Sequence, residues 1–501
     1  MQNYSKVLVG IILVFGFVLS GCKQVNNPGD DKTYLVKIGT VTNGTISANP
    51  TSGAEGTEIT LTVSPDDGYR LKIGTLKYGT TLINENTKKF NLPASNITVT
   101  AKFRILADDD SEDESGLSII KIDTGGRAID SKDTWLENAA YTIFNSDGTT
   151  ITASGATDIK GRGNFTWGLE KKPYSLKLSS KTSLLGMPSH KRWVLLANHL
   201  DKTLLRNEIG FKLGEIFDHI DWTPHTVQVE LYVNDVYQGV YQFSEAIKLD
   251  ANRVAIDEIK KGNPGGGYIL EIDERRGEES NFTTTHGVVF NCSDPDDGLD
   301  KKPTGSPQTL FEKIRADVQH AEDVLYSGDF TDPDNGYRKY LDVDSFVDWY
   351  LVEEIACYQD SKFYSSVYMY YDPSDQKYHL GPLWDFDTHF GNAWSMVSTG
   401  FLIKDSKWIS RLFDDPYFVS LIKARWNEKK SAVDALQTFI DARADSLNAA
   451  QANNFERWPI LNTNIGGANS QIAGSYAGEI AFLKLWLTLR ISWLDTAINR
   501  L

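Results

Sequence analysis

Cysteine is scarce: the 501 residues hold three, Cys22, Cys292 and Cys357. No two have metal-pair spacing, and the eight histidines form no His-x-x-x-His pattern, so a zinc site is not expected. With Cys22 set apart, Cys292 and Cys357 read as free and buried, one disulfide being the alternative. Basic charge is in deficit, 51 Lys and Arg against 67 Asp and Glu, giving a formal net charge of −16. That excludes a general, charge-driven affinity for nucleic acid or anionic membrane surfaces. A local basic pocket for ATP stays compatible with it. A Walker motif is missing too, because no Gly-Lys-Ser/Thr follows the Gly161-Arg162-Gly163 turn. What is present is a globular composition, 41% apolar and 11% aromatic, in a chain long enough for two or more domains. The aromatic richness suits either a well-built core or a carbohydrate-like surface.

In order, residues 1–22 read as a targeting segment. Lys6 precedes the apolar run Val7 to Leu19, too short for a comfortable membrane span, and Leu19-Ser20-Gly21-Cys22 resembles a bacterial lipobox with Cys22 as the lipidated residue. Residues 23–32 are a polar tether. Residues 33–105 alternate short β-rich pieces (Tyr34 to Ile38, Glu58 to Val63, Ile97 to Phe103) with turn signals at Asn43-Gly44 and Asp67-Gly68. The phrases Thr45 to Pro50, Gly53, Glu55-Gly56-Thr57 and Gly68-Tyr69 resemble the divergent InlB-type bacterial repeat, a small all-β spacer or binding module. Residues 106–116 are an acidic linker that cannot bury. From 117 to 501 the chain reads as one mixed α and β unit.

Two stretches of that unit carry chemistry. Gly381 to Asn392 sets Asp385 and Asp387 one residue apart among Trp384, Phe386 and Phe390. Read as a strand, it projects both acids to one face, where they call for a metal ion, an arginine or a shared proton. Asp158 to Leu178 contains Gly161-Arg162-Gly163-Asn164, whose glycines let backbone N–H groups approach an anion, followed by Lys171-Lys172 and a strand with Lys177 opposite its apolar face. A glycine turn followed by a strand lysine is the layout of a phosphate clamp. Lys202 to Phe217 reads as a helix whose Glu208 either pairs with that lysine or is a solvated acid. Strands are expected on both sides of Asn234-Asp235 and over Tyr268 to Ile272. Helices are expected over Pro307–Tyr326, Val343–Tyr358, Trp408–Phe413, Phe418–Glu428, Ser431–Leu447 and Gly478–Asn499.

Taken together, Ile159 to Asn164, Lys171 to Tyr174, Leu205 to Glu208, Gly239-Val240-Tyr241 with Glu245, Gly267-Tyr268 with Glu271, Asp360 and Trp384 to Asp387 resemble the spore-coat protein H (CotH-type) family of atypical protein kinases, over about residues 117 to 500. The resemblance implies an α+β, divergent kinase-like bilobal domain, with a small lobe of strands up to about Glu271 and a mainly helical large lobe. It implies transfer of the ATP γ-phosphoryl group to a protein Ser/Thr hydroxyl with Mg²⁺ or Mn²⁺. By position, the turn Gly161, Arg162, Gly163 and Asn164 would cover the phosphates and Lys177 or Lys172 would touch them. Asp360 would accept the substrate proton, and Asp385 and Asp387 would hold the metal. Ser365 and Ser366 stand where some relatives carry a metal-binding Asn. Two other readings compete: a lipid-anchored cell-envelope protein that keeps the fold for binding alone, and a carboxylate hydrolase acting on glycans. The second is disfavoured, because residues one apart are too alike to divide acid and base roles.

Overall fold

A computed structural model describes residues 32–501 apart from 67–68, 72–74, 80, 84–87, 106–114, 278–279, 394–396, 467–468 and 470. The targeting segment, nearly all of the tether, most of the acidic linker and the Asp67-Gly68 signal lie outside the described residues. The chain forms two compact units, one ending at Phe103 and the other beginning at Arg104.

The first unit is all β. Its strands are β1 (Tyr34–Ile38), β2 (Gly44–Asn49), β3 (Ser52–Gly53), β4 (Glu58–Pro65), β5 (Tyr69–Leu71), β6 (Lys77–Tyr78), β7 (Thr81–Leu82), β8 (Lys89–Asn91), β9 (Ile97–Thr100) and β10 (Phe103–Ile105). They form two small sheets, β3-β1-β9-β6-β7 and β2-β4-β8, with β5 paired to β10. Alternating residues such as Ile59, Leu61, Ile97 and Val99 fill the core between turn residues.

The second unit begins with a closed barrel. Its strands are β11 (Ser118–Asp123), β12 (Leu136–Phe144), β13 (Ile151–Gly161), β14 (Tyr174–Leu184), β15 (Met187–Leu196), β16 (Thr226–Val233) and β17 (Val236–Glu245), in the order β11-β12-β13-β14-β15-β17-β16. Every pairing is antiparallel except the closing one, where Ser118–Ile122 of β11 runs parallel to Val229–Val233 of β16. Alternation fills the interior: Ile120, Ile122, Ile143, Ile159, Leu176, Trp193, Leu231 and Phe243 are buried together. The β16–β17 hairpin turns at Asn234 (φ 49°) and Asp235 (φ 57°), the two positive angles of a type I′ turn. Asn234 also accepts the Thr124 N–H at 2.9 Å.

The helix between β15 and β16, α1 (Arg206–Ile216), starts later than its periodicity suggests. Asp201 is the cause: its carboxylate accepts the N–H groups of Thr203 (2.9 Å) and Arg206 (2.8 Å), so residues 201–205 are spent on the cap.

Beyond the barrel, β18 (Tyr268–Ile272), β19 (Asn281–Thr283), β20 (Val289–Asp294), β21 (Val367–Asp372) and β22 (Lys377–Leu380) make an antiparallel sheet ordered β19-β20-β18-β21-β22. This corrects the expected lobe boundary near Glu271: β18 pairs with strands on its C-terminal side, not with the barrel. The helices are α2 (Leu310–Leu325), α3 (Val343–Ala356), α4 (Lys407–Leu412), α5 (Pro416–Asp434), α6 (Leu436–Ser446), α7 (Asn448–Arg457) and α8 (Tyr476–Asn499). A Thr309/Glu312 capping box starts α2. α3 stops where Cys357 turns left-handed at φ 55°. Cys292 and Cys357 are both buried and not joined in a disulfide, as expected. One large core joins α1, the second sheet and all the later helices. Among the described residues no helix is long and apolar enough to cross a membrane.

Candidate functional site

β13 delivers the glycine turn to the edge of the barrel. A Cβ on Gly161 would lie 2.3 Å from the Trp167 ring, and Gly163 has φ +79°, so the glycines admit the turn's own side chains. Backbone bonds from Gly161 N–H to Ser131 O (2.8 Å) and from Arg162 N–H to Pro173 O (3.2 Å) anchor the turn. The Arg162 side chain lies over Trp384, its Cζ 5.2 Å from the ring centroid. Burial works against its charge, and Asp385, Tyr368, Glu271 and Asp387 support it.

The Asp385–Asp387 segment is not a strand. β22 ends at Leu380, and Asp385 sits at φ +71°, a costly angle for a residue other than glycine that tends to mark functional positions. The acids consequently occupy unlike environments, Asp385 exposed and Asp387 buried, with the buried Phe386 between them in sequence. Asn207 Oδ1 accepts the Phe386 N–H at 2.7 Å, and Asn392 Nδ2 donates to the Asp387 carbonyl at 2.7 Å. Burial pushes the Asp387 carboxyl well above its usual range; the charges of Asp385 and Asp201 add to this, and Arg206 opposes it.

A raised carboxyl takes up a proton on folding. Its contribution to stability is full below the unfolded pKa and is lost as pH rises through the folded one. In metal-free protein, Asp387→Asn is expected to raise Tm by about 1–3 °C at pH 7, with the gain shrinking toward pH 4. Thermal scans across that range check it; a lower Tm at pH 7 would count against it.

Asp360 lies on the turn Gln359–Ser361 that follows α3. Arg275 Nη2 donates to its Oδ2 at 3.5 Å. Arg275 Nη1 also donates to Asp273 at 3.4 Å and to the Ser365 hydroxyl. Ser365 in turn donates to Asp273 at 2.9 Å, and Ser366, 3.4 Å from Ser365, donates to Asp385 Oδ2 at 3.0 Å. Asp360 and Asp385 are thus the ends of one polar chain. Burial raises the Asp360 carboxyl, Arg275 lowers it and Asp385 raises it.

The other expected site residues lie apart from this chain. Lys177 is exposed on the outer face of β14, its Nζ 6.0 Å from the Trp135 ring, which Arg192 also covers. Lys172 donates to the Trp167 carbonyl at 2.6 Å, and the exposed Asn164 accepts from Lys132 at 3.4 Å. Glu208 pairs with neither a lysine nor solvent: α1 turns it toward α6, where Arg443 lies 2.6 Å away. Lys171 is buried, donating to Val240 O and to Asn454 Oδ1 (2.9 Å), and so joins the barrel to α7. Cys22 lies outside the described residues. Arg275 was not singled out from the sequence, and Asp273 carries no site role there; Asp-Glu-Arg-Arg-Gly after a strand has the look of a solvated turn.

Phe386 ties the acids to α1. A Cβ on Gly210 would lie 2.1 Å from its ring. Gly210→Ala is expected to cost about 1–3 kcal/mol despite the better helix propensity of alanine, because the added methyl presses on the Phe386 ring between the two acids in sequence. Denaturant unfolding measures it; a stabilised variant would contradict the packing argument.

A search of curated proteins found no match. The family model described as CotH kinase protein matches residues 159–494, well over half of the chain and all of the polar chain just described. The one described as divergent InlB B-repeat domain matches residues 34–106. The chain therefore belongs to the CotH kinase protein family and carries a divergent InlB B-repeat domain ahead of the matching region.

Proposed function

We propose that the chain is an ATP-dependent protein Ser/Thr kinase of the CotH type, a divergent bilobal kinase held at the bacterial cell envelope by lipid on Cys22. Family membership suggests kinase chemistry, and the observation that carries the reading is the coupling of Asp360 to Asp385 through Arg275, Ser365 and Ser366. Asp385, Asp387 and the Ser366 hydroxyl form an all-oxygen donor set, the kind that suits Mg²⁺ or Mn²⁺. Two nearby carboxylates, one resisting ionisation, also fit a cation between them. Such an ion, when bound, neutralises charge on the nucleotide phosphates.

The chain's own residues do the rest. Arg162 on the glycine turn brings a positive charge to the same place, while Lys177, expected to touch the phosphates, lies apart on the outer face of β14. Asp360 takes the proton of the attacking hydroxyl as the new O–P bond forms and the bond from the γ-phosphorus to the bridging oxygen breaks, releasing ADP. Arg275 orients Asp360 and tempers its charge. Lys172 and Glu208, committed to Trp167 and Arg443, support the turn and the helix.

The second reading, a surface binding protein without catalysis, draws on Ser365, which is engaged by Arg275 and Asp273. Labelled ATP with Mg²⁺ or Mn²⁺ separates the two. Autophosphorylation that Asp360→Asn removes supports the kinase. Nucleotide that neither labels the protein nor shifts its melting supports the binding protein.

A further inference from the structure

We propose that the cavity between the α1–β16 connection, the segment after β17 and the second sheet binds one uncharged hexose ring, the end unit of a saccharide. The cavity measures about 250 Å³. That is below the range of about 300–1,000 Å³ taken by drug-sized ligands, so it has room for a single ring. Trp222, Tyr370, Val254, Ile256 and Leu380 give it an aromatic and aliphatic lining, and Asp221, Asp372 and Arg253 bring polar groups to it. None of the residues assigned to phosphoryl transfer lines it.

Donors and acceptors are both left open there. Trp222 Nε1 and Arg253 Nε are buried and have no hydrogen-bond partner among the described residues. Glu245 Oε1 lies 3.8 Å from Arg253 Nε, too far for a hydrogen bond. The Arg253 Nη atoms are spent on the carbonyls of Ala246 (2.6 Å) and Arg192 (2.8 Å). The carboxylates are half used. Asp221 Oδ2 accepts the Tyr370 hydroxyl and Asp372 Oδ1 the Ser374 N–H (2.7 Å), which leaves Asp221 Oδ1 and Asp372 Oδ2 without a bond among the described residues.

These open atoms decide the ligand class. An amine supplies donors alone and would leave the indole and guanidinium N–H groups unpaired. An anion supplies acceptors alone and meets two carboxylates. A hydroxyl group gives and accepts at once, so a ring carrying several matches both sets, and its C–H faces suit an aromatic wall. That wall is fixed in advance. Tyr370 stacks on His379, ring centroids 4.9 Å apart and planes 9° apart, and His379 Nε2 lies 3.0 Å from Asp375 Oδ2. Trp222 packs with Val254, Ile269 and Tyr370 in one apolar cluster. Arg253 is 3% exposed, with its Cζ 5.4 Å from the Trp193 ring centroid. Groups held this firmly keep the ordering cost of binding small. The exposed Asp221 opens the cavity to solvent.

Titration of the full-length chain with glucose, galactose, mannose and N-acetylglucosamine, followed by calorimetry and saturation-transfer NMR, tests this independently of the kinase reading. At least one sugar should bind, one per chain, with a Kd in the millimolar range or tighter. Trp222→Ala should remove that binding. Asp221→Asn should weaken it about tenfold, because a charged acceptor makes the stronger hydrogen bond. Asp385→Asn should leave it unchanged. No saturable binding by any of the four, binding that Trp222→Ala retains, or binding that Asp385→Asn removes would overturn the site. Displacement of the sugar by spermidine or by inorganic phosphate would overturn the ligand class. If Trp222→Ala does not fold, Trp222→Phe and Asp221→Asn decide: unchanged affinity in both overturns the proposal.

Discussion

Asp385→Asn is expected to lower phosphoryl transfer by about 10³-fold or more, roughly 4 kcal/mol of lost transition-state stabilisation, in a protein that still folds. The folding half follows from the backbone. At φ +71° most side chains are strained, but asparagine tolerates the left-handed region at least as well as aspartate. The amide can still accept from Ser366, and Phe386, which anchors the segment, is untouched. The functional half follows from charge. An amide is a poor ligand for a hard cation, and removing Asp385 also relieves the repulsion that raises Asp387 and Asp360. Melting temperature and initial rates, measured on the same preparation, separate the two. Activity within a few-fold of wild type would remove Asp385 from the site.

Arg490→Met should be the most damaging change remote from the site, costing about 3–5 kcal/mol. Arg490 on α8 is fully buried, donating to Glu354 Oε2 at 2.7 Å, to the Glu354 carbonyl at 2.8 Å and to Gly400 O at 2.7 Å. Glu354, equally buried on α3, accepts the N–H groups of Leu402, Ile403 and Lys404 at 2.8–3.1 Å. Burial raises the Glu354 carboxyl; Arg490 and these three N–H groups pull it down. Without Arg490 the carboxyl rises further, so the variant's deficit is full above the new folded pKa and shrinks as pH falls toward the unfolded value. Denaturant unfolding at pH 7 and pH 5 checks the size and the sign. A deficit that grows toward pH 5 would refute the electrostatic account.

Local information carried the strands well. Alternation placed β1, β4, β16, β17 and β18, and Asn234-Asp235 named its own turn. Helix ends were less legible. The period over Ser431–Leu447 runs on without glycine or proline, yet the chain breaks at Ala435 between α5 and α6, and α7 follows where no helix was named. Closure of the barrel leaves no local mark, since four other strands, β12 to β15, lie between β11 and β16 in the chain. At the site, the Asp385–Asp387 pair and the Gly161-Arg162-Gly163 turn stand out locally because acids and an arginine sit beside glycines and aromatics, whereas Asp360 enters only through the family resemblance. The strand geometry first given to Asp385 and Asp387 was wrong, because only tertiary anchors at Asn207 and Asn392 reveal the left-handed step at Asp385. Partners such as Arg275 for Asp360 and Arg443 for Glu208 lie far along the chain and have no sequence signature.

The parallel pairing of Ser118–Ile122 with Val229–Val233 also sets an order of events. The hairpin seams of the barrel join neighbouring segments and can form early, whereas the β15–β17 seam spans α1 and β16. The last seam waits until β16 exists, and its loop-closure cost is met before any contact repays it. Until then β11 and β16 each offer an unpaired, apolar edge to other chains. Folding of this unit is therefore expected to be late and all-or-none in its closing step, and truncation before Val233 would leave an open sheet prone to aggregate.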